Sequence, residues 1–226
     1  MTNDPGAVVG KWQRAWQGLV HAVRDDHAML HHYDAKYGPN SREDRTSLAR
    51  DLVTRIGFQM LAACRVMRFC VDVEIPLAPR VASRLIRHAY GSDVHWEAQL
   101  EPGIVFVHGM GMAISRSARV QRGAILFQNV TLGVAFDSTS GSAGAPLLQQ
   151  SVHVGAGSTL VGPITIGARS KVTANCFVRT SVPADSIVEA PAPLVSARHK
   201  PGAVAETDNP ALVPRDFKGR AGAREI

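Results

Sequence analysis

Between Val154 and Val178 the chain repeats every six residues. Val154, Leu160, Ile166, Val172 and Val178 are branched aliphatics, and Ala156, Gly162, Ala168 and Ala174 each follow one of the first four at a distance of two. A period of six fits neither an α-helix, at about 3.6 residues per turn, nor a half-buried strand, at about two. It fits the hexapeptide repeat of a parallel β-helix, in which successive coils stack on one another. The aliphatic fills the coil interior, and the small residue lets the chain turn a tight corner. Such a solenoid is a scaffold, so its chemistry has to be read from a site built upon it.

Composition removes several partners. The 226 residues suffice for one large or two modest domains. A net charge of +6 suits an anionic ligand, but Lys and Arg are scattered and aromatic residues make up 6%. A nucleic-acid partner is therefore not expected. No segment approaches the roughly 18 apolar residues of a membrane span. The first twenty residues carry Asp, Lys and Arg and lack the apolar run of a secretory leader. The expectation is a cytoplasmic chain that does not meet a membrane. Cys64, Cys70 and Cys176 form no CxxC pair and lie in apolar settings. They read as reduced core thiols, and no metal is expected.

Helical periodicity occupies the first part of the chain. Trp12, Trp16, Leu19, Val20 and Val23 mark a helix over residues 11–36, which Gly38-Pro39-Asn40 ends. Ser41 and Asp44 resemble a second helix start, followed by a stripe of Leu52, Ile56, Met60 and Cys64 to about residue 70. A third helix, with Pro79 in its first turn, spans roughly 77–90 and stops at Gly91. Residues 1–91 are thus expected to form an all-α domain, 92–195 the solenoid and 196–226 an extended tail rich in Pro, Gly and charge.

The solenoid register breaks twice. Val94, Leu100 and Phe106 keep the hexad, and the next aliphatics are Ile114, Val120, Leu126 and Leu132. The step from Phe106 to Ile114 is eight, so the chain bulges around His108-Gly109-Met110-Gly111. Residues 134–150, rich in Gly, Ser and Ala, form the second break and read as an extruded loop.

Several segments together resemble the bacterial serine O-acetyltransferases of the hexapeptide acyltransferase superfamily. These are IGFQMLAACRVMRF at 56–69, SDVHWEAQLEPGIVFVHGMG at 92–111, NVTLG at 129–133, VGAGSTLVGPITIGARSKVTAN at 154–175 and VPADSIVEAPAPLV at 182–195. The resemblance implies a left-handed β-helix behind the helical domain. It implies transfer of acetyl from acetyl-CoA to the serine hydroxyl, feeding cysteine synthesis. It implies a homotrimer or a hexamer, with sites between neighbouring solenoids. It also implies that His108 is the catalytic histidine and Asp93 the carboxylate that orients it. Pantetheine would run past the small corners Ala156 and Ala174, and Lys171 would meet the CoA phosphates. Asp26, in AVRDDHA at 22–28, and His95 become candidates for acceptor binding, and Ile226 a contact for a sulfhydrylase partner.

The chemistry suits these residues. An imidazole that takes the proton of an attacking hydroxyl is worth about 10²–10⁴-fold in rate. A carboxylate on its other nitrogen fixes the tautomer. Asp93 and His108 are 15 residues apart, near the length of one coil of three hexads. Each residue also has a plainer reading. His108 fits a structural histidine in a bulge, Asp26 a helix-surface charge, His95 a solvent-facing coil residue, Lys171 a surface lysine, and the two alanines simple corners.

The acceptor end departs from the family. An aspartate usually precedes the catalytic histidine, and here Val107 does. The family's Arg-His-Pro aligns with Gly144-Ala145-Pro146, and residues 134–150 contain no Arg, Lys or His. A guanidinium grip on a carboxylate is hard to replace with small residues. The leading expectation is an acetyl-CoA-dependent O-acetyltransferase acting on L-serine or a related small hydroxyl compound. An O-acyltransferase for a sugar, a modified amino acid or a pathway intermediate is the alternative within the enzymes. A non-catalytic trimeric binding module is the alternative outside them.

Overall fold

The computed structural model describes residues 5–38, 46–137 and 141–195. Residues Met1–Pro191 form one compact unit, and Ala192–Ile226 a second. The expected tail at 196–226, including Ile226, and the helix start at Ser41 and Asp44 lie outside the described residues.

Four helices come first: α1 (Pro5–Tyr37), α2 (Leu48–Thr54), α3 (Ile56–Asp72) and α4 (Ala78–Tyr90). The single helix expected over 44–70 is two. Ser47, whose hydroxyl accepts from the Arg50 amide, caps α2, and Arg55 in an extended conformation separates α2 from α3. Packing explains the break. A Cβ on Gly57 would fall 1.9 Å from the Phe106 carbonyl oxygen, so α3 starts hard against the solenoid. Gly91, at φ 58, closes α4 as expected. No helix among the described residues is long and apolar enough to cross a membrane.

The remainder is a left-handed parallel β-helix with an N-terminal helical cover. Its short strands stack in three parallel sheets of five, four and five strands. The first face runs from Asp93–Val94 to Phe177–Val178, the second from Gln99–Leu100 to Thr165–Ile166, and the third from Val105–Phe106 to Ile187–Val188. The hexad aliphatics point inward: Val94, Ile114, Leu132, Leu160 and Val178 are all buried, as are Val120, Leu126, Val154, Ile166 and Val172. Met60, Leu61, Cys64 and Met67 of α3 and Ile86 of α4 continue that core across the first coil. All three cysteines are free, and burial pushes the Cys64 thiol up to about 12, where it is inert.

Both register breaks are present. Val94 pairs with Ile114, a rise of twenty residues, whereas Leu160 pairs with Val178 after eighteen. The second insertion is shorter than expected. Ala135–Asp137 and Ser142–Gly144 pair antiparallel as a hairpin, and Leu147–Leu148 is already back in the second face with Leu148 buried. The corner rule also needs refinement. At Gly162 (φ 96) the left-handed backbone falls on the small residue itself, but at the other three it falls one residue later, at Gly157 (φ 71), Arg169 (φ 61) and Asn175 (φ 58). Smallness at Ala156 and Ala174 is therefore not demanded by backbone conformation.

Candidate active site

The corners between the third and first faces stack into one edge of the prism. Corner amides climb that edge: Asn129 N–H donates to the Met110 carbonyl (2.9 Å), Gly157 to Gln128 (3.0 Å) and Asn175 to Ala156 (2.8 Å). His108 opens the lowest corner, and Ala156 and Ala174 occupy the same edge two and three coils higher. With coils about 4.8 Å apart, those heights are roughly 10 and 14 Å. The sequence treats His108 and the two alanines as separate motifs, and the fold sets them in one column.

The corner that carries His108 is strained. His108, Gly109 and Gly111 adopt φ of 68°, 59° and 68°. A left-handed conformation at a non-glycine residue is uncommon, and this solenoid adopts it at other corners too, among them Asn129, Arg169 and Asn175. The His108 corner is held from both sides. A Cβ on Gly109 would lie 2.7 Å from the Gly57 Cα. From below, the Ser92 hydroxyl donates to the Gly109 carbonyl (3.3 Å) and accepts from the Met112 amide (3.1 Å). The imidazole is left exposed.

Beside it lies a cavity of about 280 Å³. Val107, His108 and Met110 form one wall, and Tyr33 and Asp34 of α1 another. Arg55 and the first residues of α3 close it. No side chain caps α3, so its amino-terminal dipole faces this space. Arg55 Nη2 donates to Asp34 Oδ2 at 2.6 Å. Burial first, and then the charge of Asp34 and Tyr37, hold the Tyr33 phenol above its usual range, so its hydroxyl keeps its proton.

Asp93 sits one coil edge below, and its main-chain amide donates to the Met112 carbonyl (2.7 Å). Its carboxylate is exposed and pairs with Arg87 at 2.7 Å. His95 goes elsewhere. It stacks on Trp96 (4.0 Å between centroids), accepts from the Glu97 amide and lines a different cavity, of about 580 Å³, with Arg65 and Arg119. Asp26 is 1% exposed, and its carboxylate is fully engaged by Arg65 and two coil amides. Lys171 is exposed in the third face, paired in register with His153. Thus His108, Asp93, Ala156 and Ala174 gather on one edge, whereas Asp26 and His95 do not join them.

No family model matches the chain. A serine acetyltransferase of Synechococcus elongatus is 37% identical over 134 residues, covering 58% of this chain and 53% of that protein. The chain spans about half the length of the curated relatives it matches. Among solved structures, a serine acetyltransferase isoform 3 of Entamoeba histolytica in complex with cysteine superposes with a TM-score of 0.69 at 22% identity, covering 85% of this chain and 66% of that one. The chain resembles the serine acetyltransferases in sequence and in fold. A serine acetyltransferase in complex with CoA gives a TM-score of 0.67 at 20% identity, covering 84% of this chain and 74% of its own. The N-terminal helices followed by the β-helix are therefore shared with the serine acetyltransferases.

Sequence reasoning missed Tyr33, Asp34, Arg55 and Arg65. The first three belong to no motif and meet only because α1 and the α2–α3 break both lean on the His108 corner. The one available signal was Gly57, a glycine early in an otherwise strong helical pattern.

Proposed function

We propose that the chain is an acetyl-CoA-dependent O-acetyltransferase of the serine acetyltransferase type, with His108 as general base. The observation that carries this reading is the single column joining the strained His108 corner to the small corners Ala156 and Ala174. Ala174 is exposed and Ala156 half-buried, so a narrow chain passing these two corners meets only a methyl at each, with Gln128 at the corner between them and His108. Bound there, acetyl-CoA supplies an activated thioester carbonyl. His108 takes the acceptor's hydroxyl proton as the oxygen bonds to that carbonyl, and passes it to the departing CoA sulfur. Asp93 orients the imidazole once its carboxylate turns from Arg87, and apo geometry of this kind is often looser than the reacting complex. Lys171 would meet the CoA phosphates as a point charge.

In this reading residues 1–91 supply one side of the acceptor cavity, and the solenoid expected over 92–195 supplies the other side and holds the donor. Asp34 and Arg55 offer opposite charges beside His108. An amino acid such as L-serine splits that pair, its ammonium to Asp34 and its carboxylate to Arg55 and the start of α3. The alternative acceptor, one without free charges, is favoured by Val107 and by the hairpin. Gly144 packs against Pro163, where a Cβ would meet Pro163 Cβ at 2.9 Å. An arginine there would displace the hairpin.

The hairpin leaves the prism between the first and second faces, a different edge from that of His108. A complete site that uses it combines two chains, as in a homotrimer. The exposed Phe136 on the hairpin and Phe177 on the coils suit such packing. The compartment that fits this chemistry is the cytoplasm, where CoA thioesters and reduced thiols coexist. The test is CoA release with a panel of hydroxyl acceptors. His108→Ala is expected to abolish transfer in a folded oligomer, and Asp93→Asn to lower kcat and shift the pH–rate profile. Near-normal turnover by His108→Ala would overturn the assignment.

A further inference from the structure

Outside the proposed site, three metal-binding side chains converge between α1 and α2. His27 and His31 stand one helical turn apart on α1, and Asp51 lies in the first turn of α2. His27 Nε2 is 2.8 Å from Asp51 Oδ2, His31 Nε2 is 3.1 Å from His27 Nε2, and His31 Nε2 is 3.6 Å from Asp51 Oδ2. Two imidazole nitrogens and one carboxylate oxygen thus surround a single point.

Protons leave a metal-ligating lone pair in this arrangement. On two neutral imidazoles, one Nε2–H on His27 can point to Asp51 while the His31 Nε2 stays a bare acceptor, the form in which an imidazole binds a metal. The carboxylate is also 2% exposed, and its nearest guanidinium atom, Arg55 Nε, is 4.0 Å away. A buried carboxylate needs closer compensation. The surroundings hold the three groups in place. The Thr46 hydroxyl donates to Asp51 Oδ2 at 2.5 Å. The His27 ring lies between Phe58, at 5.4 Å, and the His31 ring, at 4.4 Å. Partners that orient ligands in this way accompany protein metal sites.

The dimensions suit a small divalent ion. Zinc bound at about 2.0–2.1 Å by tetrahedral ligands sets them about 3.3 Å apart. The observed edges of 2.8, 3.1 and 3.6 Å bracket that value, so closure requires only sub-ångström shifts. Two imidazoles and one carboxylate select zinc-like transition ions over magnesium or calcium.

We propose that His27, His31 and Asp51 form an accessory site for a zinc-class divalent cation, which staples α1 to α2. Sequence spacing joins only His27 and His31, four residues apart on one helix, and Asp51 follows His27 by 24 residues. The site does not depend on acetyl transfer. It does stand next to the acceptor cavity: Asp34 follows His31 by three residues on α1, and Arg55 follows Asp51 by one turn.

The test uses the untagged full chain, stripped by chelator and titrated calorimetrically with Zn²⁺ and, separately, with Co²⁺. The expected result is one tight equivalent per chain, visible Co²⁺ bands of tetrahedral intensity and a higher Tm on zinc addition. His31→Ala, which removes a half-buried ligand, should weaken binding at least a hundredfold and abolish the Tm rise. Asp51→Asn keeps the side-chain volume and should do the same if His31→Ala proves unstable. His108→Ala should still bind one equivalent. Absence of stoichiometric binding by the wild-type chain would overturn the proposal. So would binding that survives in both ligand variants, or that disappears in His108→Ala.

Discussion

Asp26 and Arg65 form a buried two-pronged ion pair, with Arg65 Nε and Nη2 donating to the Asp26 carboxylate at 2.7 and 3.0 Å. The same carboxylate accepts from the amides of Gly103 (2.8 Å) and Ile104 (3.2 Å), and Arg65 donates to the carbonyls of Leu100 and Glu101. One pair therefore ties α1, α3 and the first coil together. With four hydrogen bonds accepted by Asp26 and four donated by Arg65, its part is to hold the helical cover on the solenoid.

Removing either member leaves a buried charge alone, which typically costs about 3–5 kcal/mol. Asp26→Asn and Arg65→Met are each expected to lower stability by that amount, a fall in Tm on the order of 10 °C for a unit of this size. Arg65→Lys should also be destabilising, because an ammonium cannot reproduce the fork. Denaturant titration measures this, and a loss below about 1 kcal/mol would mean that the tie is redundant.

The donor edge makes a steric prediction. Ala174 is exposed on the column above His108, so Ala174→Trp should fill the edge while leaving the inward Val172 and Val178 untouched. Acetyl-CoA affinity should fall by at least tenfold, about 1.4 kcal/mol, with the thermal transition nearly unchanged. Calorimetry that shows unaltered CoA affinity would move the donor to another edge.

His153 gives a pH dependence. Burial first, and then the positive charges of Lys36 and Lys171, push its pKa below the usual histidine value. Below about 6.5 the unfolded chain takes up a proton that the folded chain resists. This contribution leaves stability unaffected above that pH and lowers it as the pH falls towards the depressed folded value. The edge contact of the Tyr37 ring at 5.7 Å places the effect at the end of α1. His153→Gln should flatten the slope of Tm against pH between about 6.5 and 5. An unchanged slope would assign the acid sensitivity to other groups.

The solenoid was legible because its period is enforced by a repeated physical demand: one inward aliphatic per side of each coil. Both register breaks were visible for the same reason, since Phe106 and Leu132 are each followed by the wrong spacing. The split between α2 and α3 was not legible. It arises from the contact of Gly57 with Phe106, which no local propensity encodes. The site divides along the same line. His108, Asp93 and the two alanines belong to motifs. Arg65, by contrast, reads as an ordinary helical arginine until the fold sets it against Asp26, 39 residues earlier.

The acceptor cavity supplies the sharpest test of specificity. The hairpin offers no cation, and Val107 offers no charge beside His108. Arg55 and Asp34 are then the charged groups that line the cavity with His108, and they neutralise each other at 2.6 Å until an acceptor parts them. That competition predicts weak binding of free L-serine. It also predicts that what binding there is depends on Arg55. A hydrogen bond to a charged group is worth about 1.5–3 kcal/mol, roughly a factor of 10–100. Arg55→Gln should therefore raise KM for L-serine by at least tenfold with little change in kcat, the signature of lost ground-state binding. A hydroxyl acceptor without a carboxylate should be indifferent to the same substitution. If Arg55→Gln leaves the serine KM unchanged, the carboxylate is held by a group outside this cavity, and the uncharged acceptor becomes the better reading.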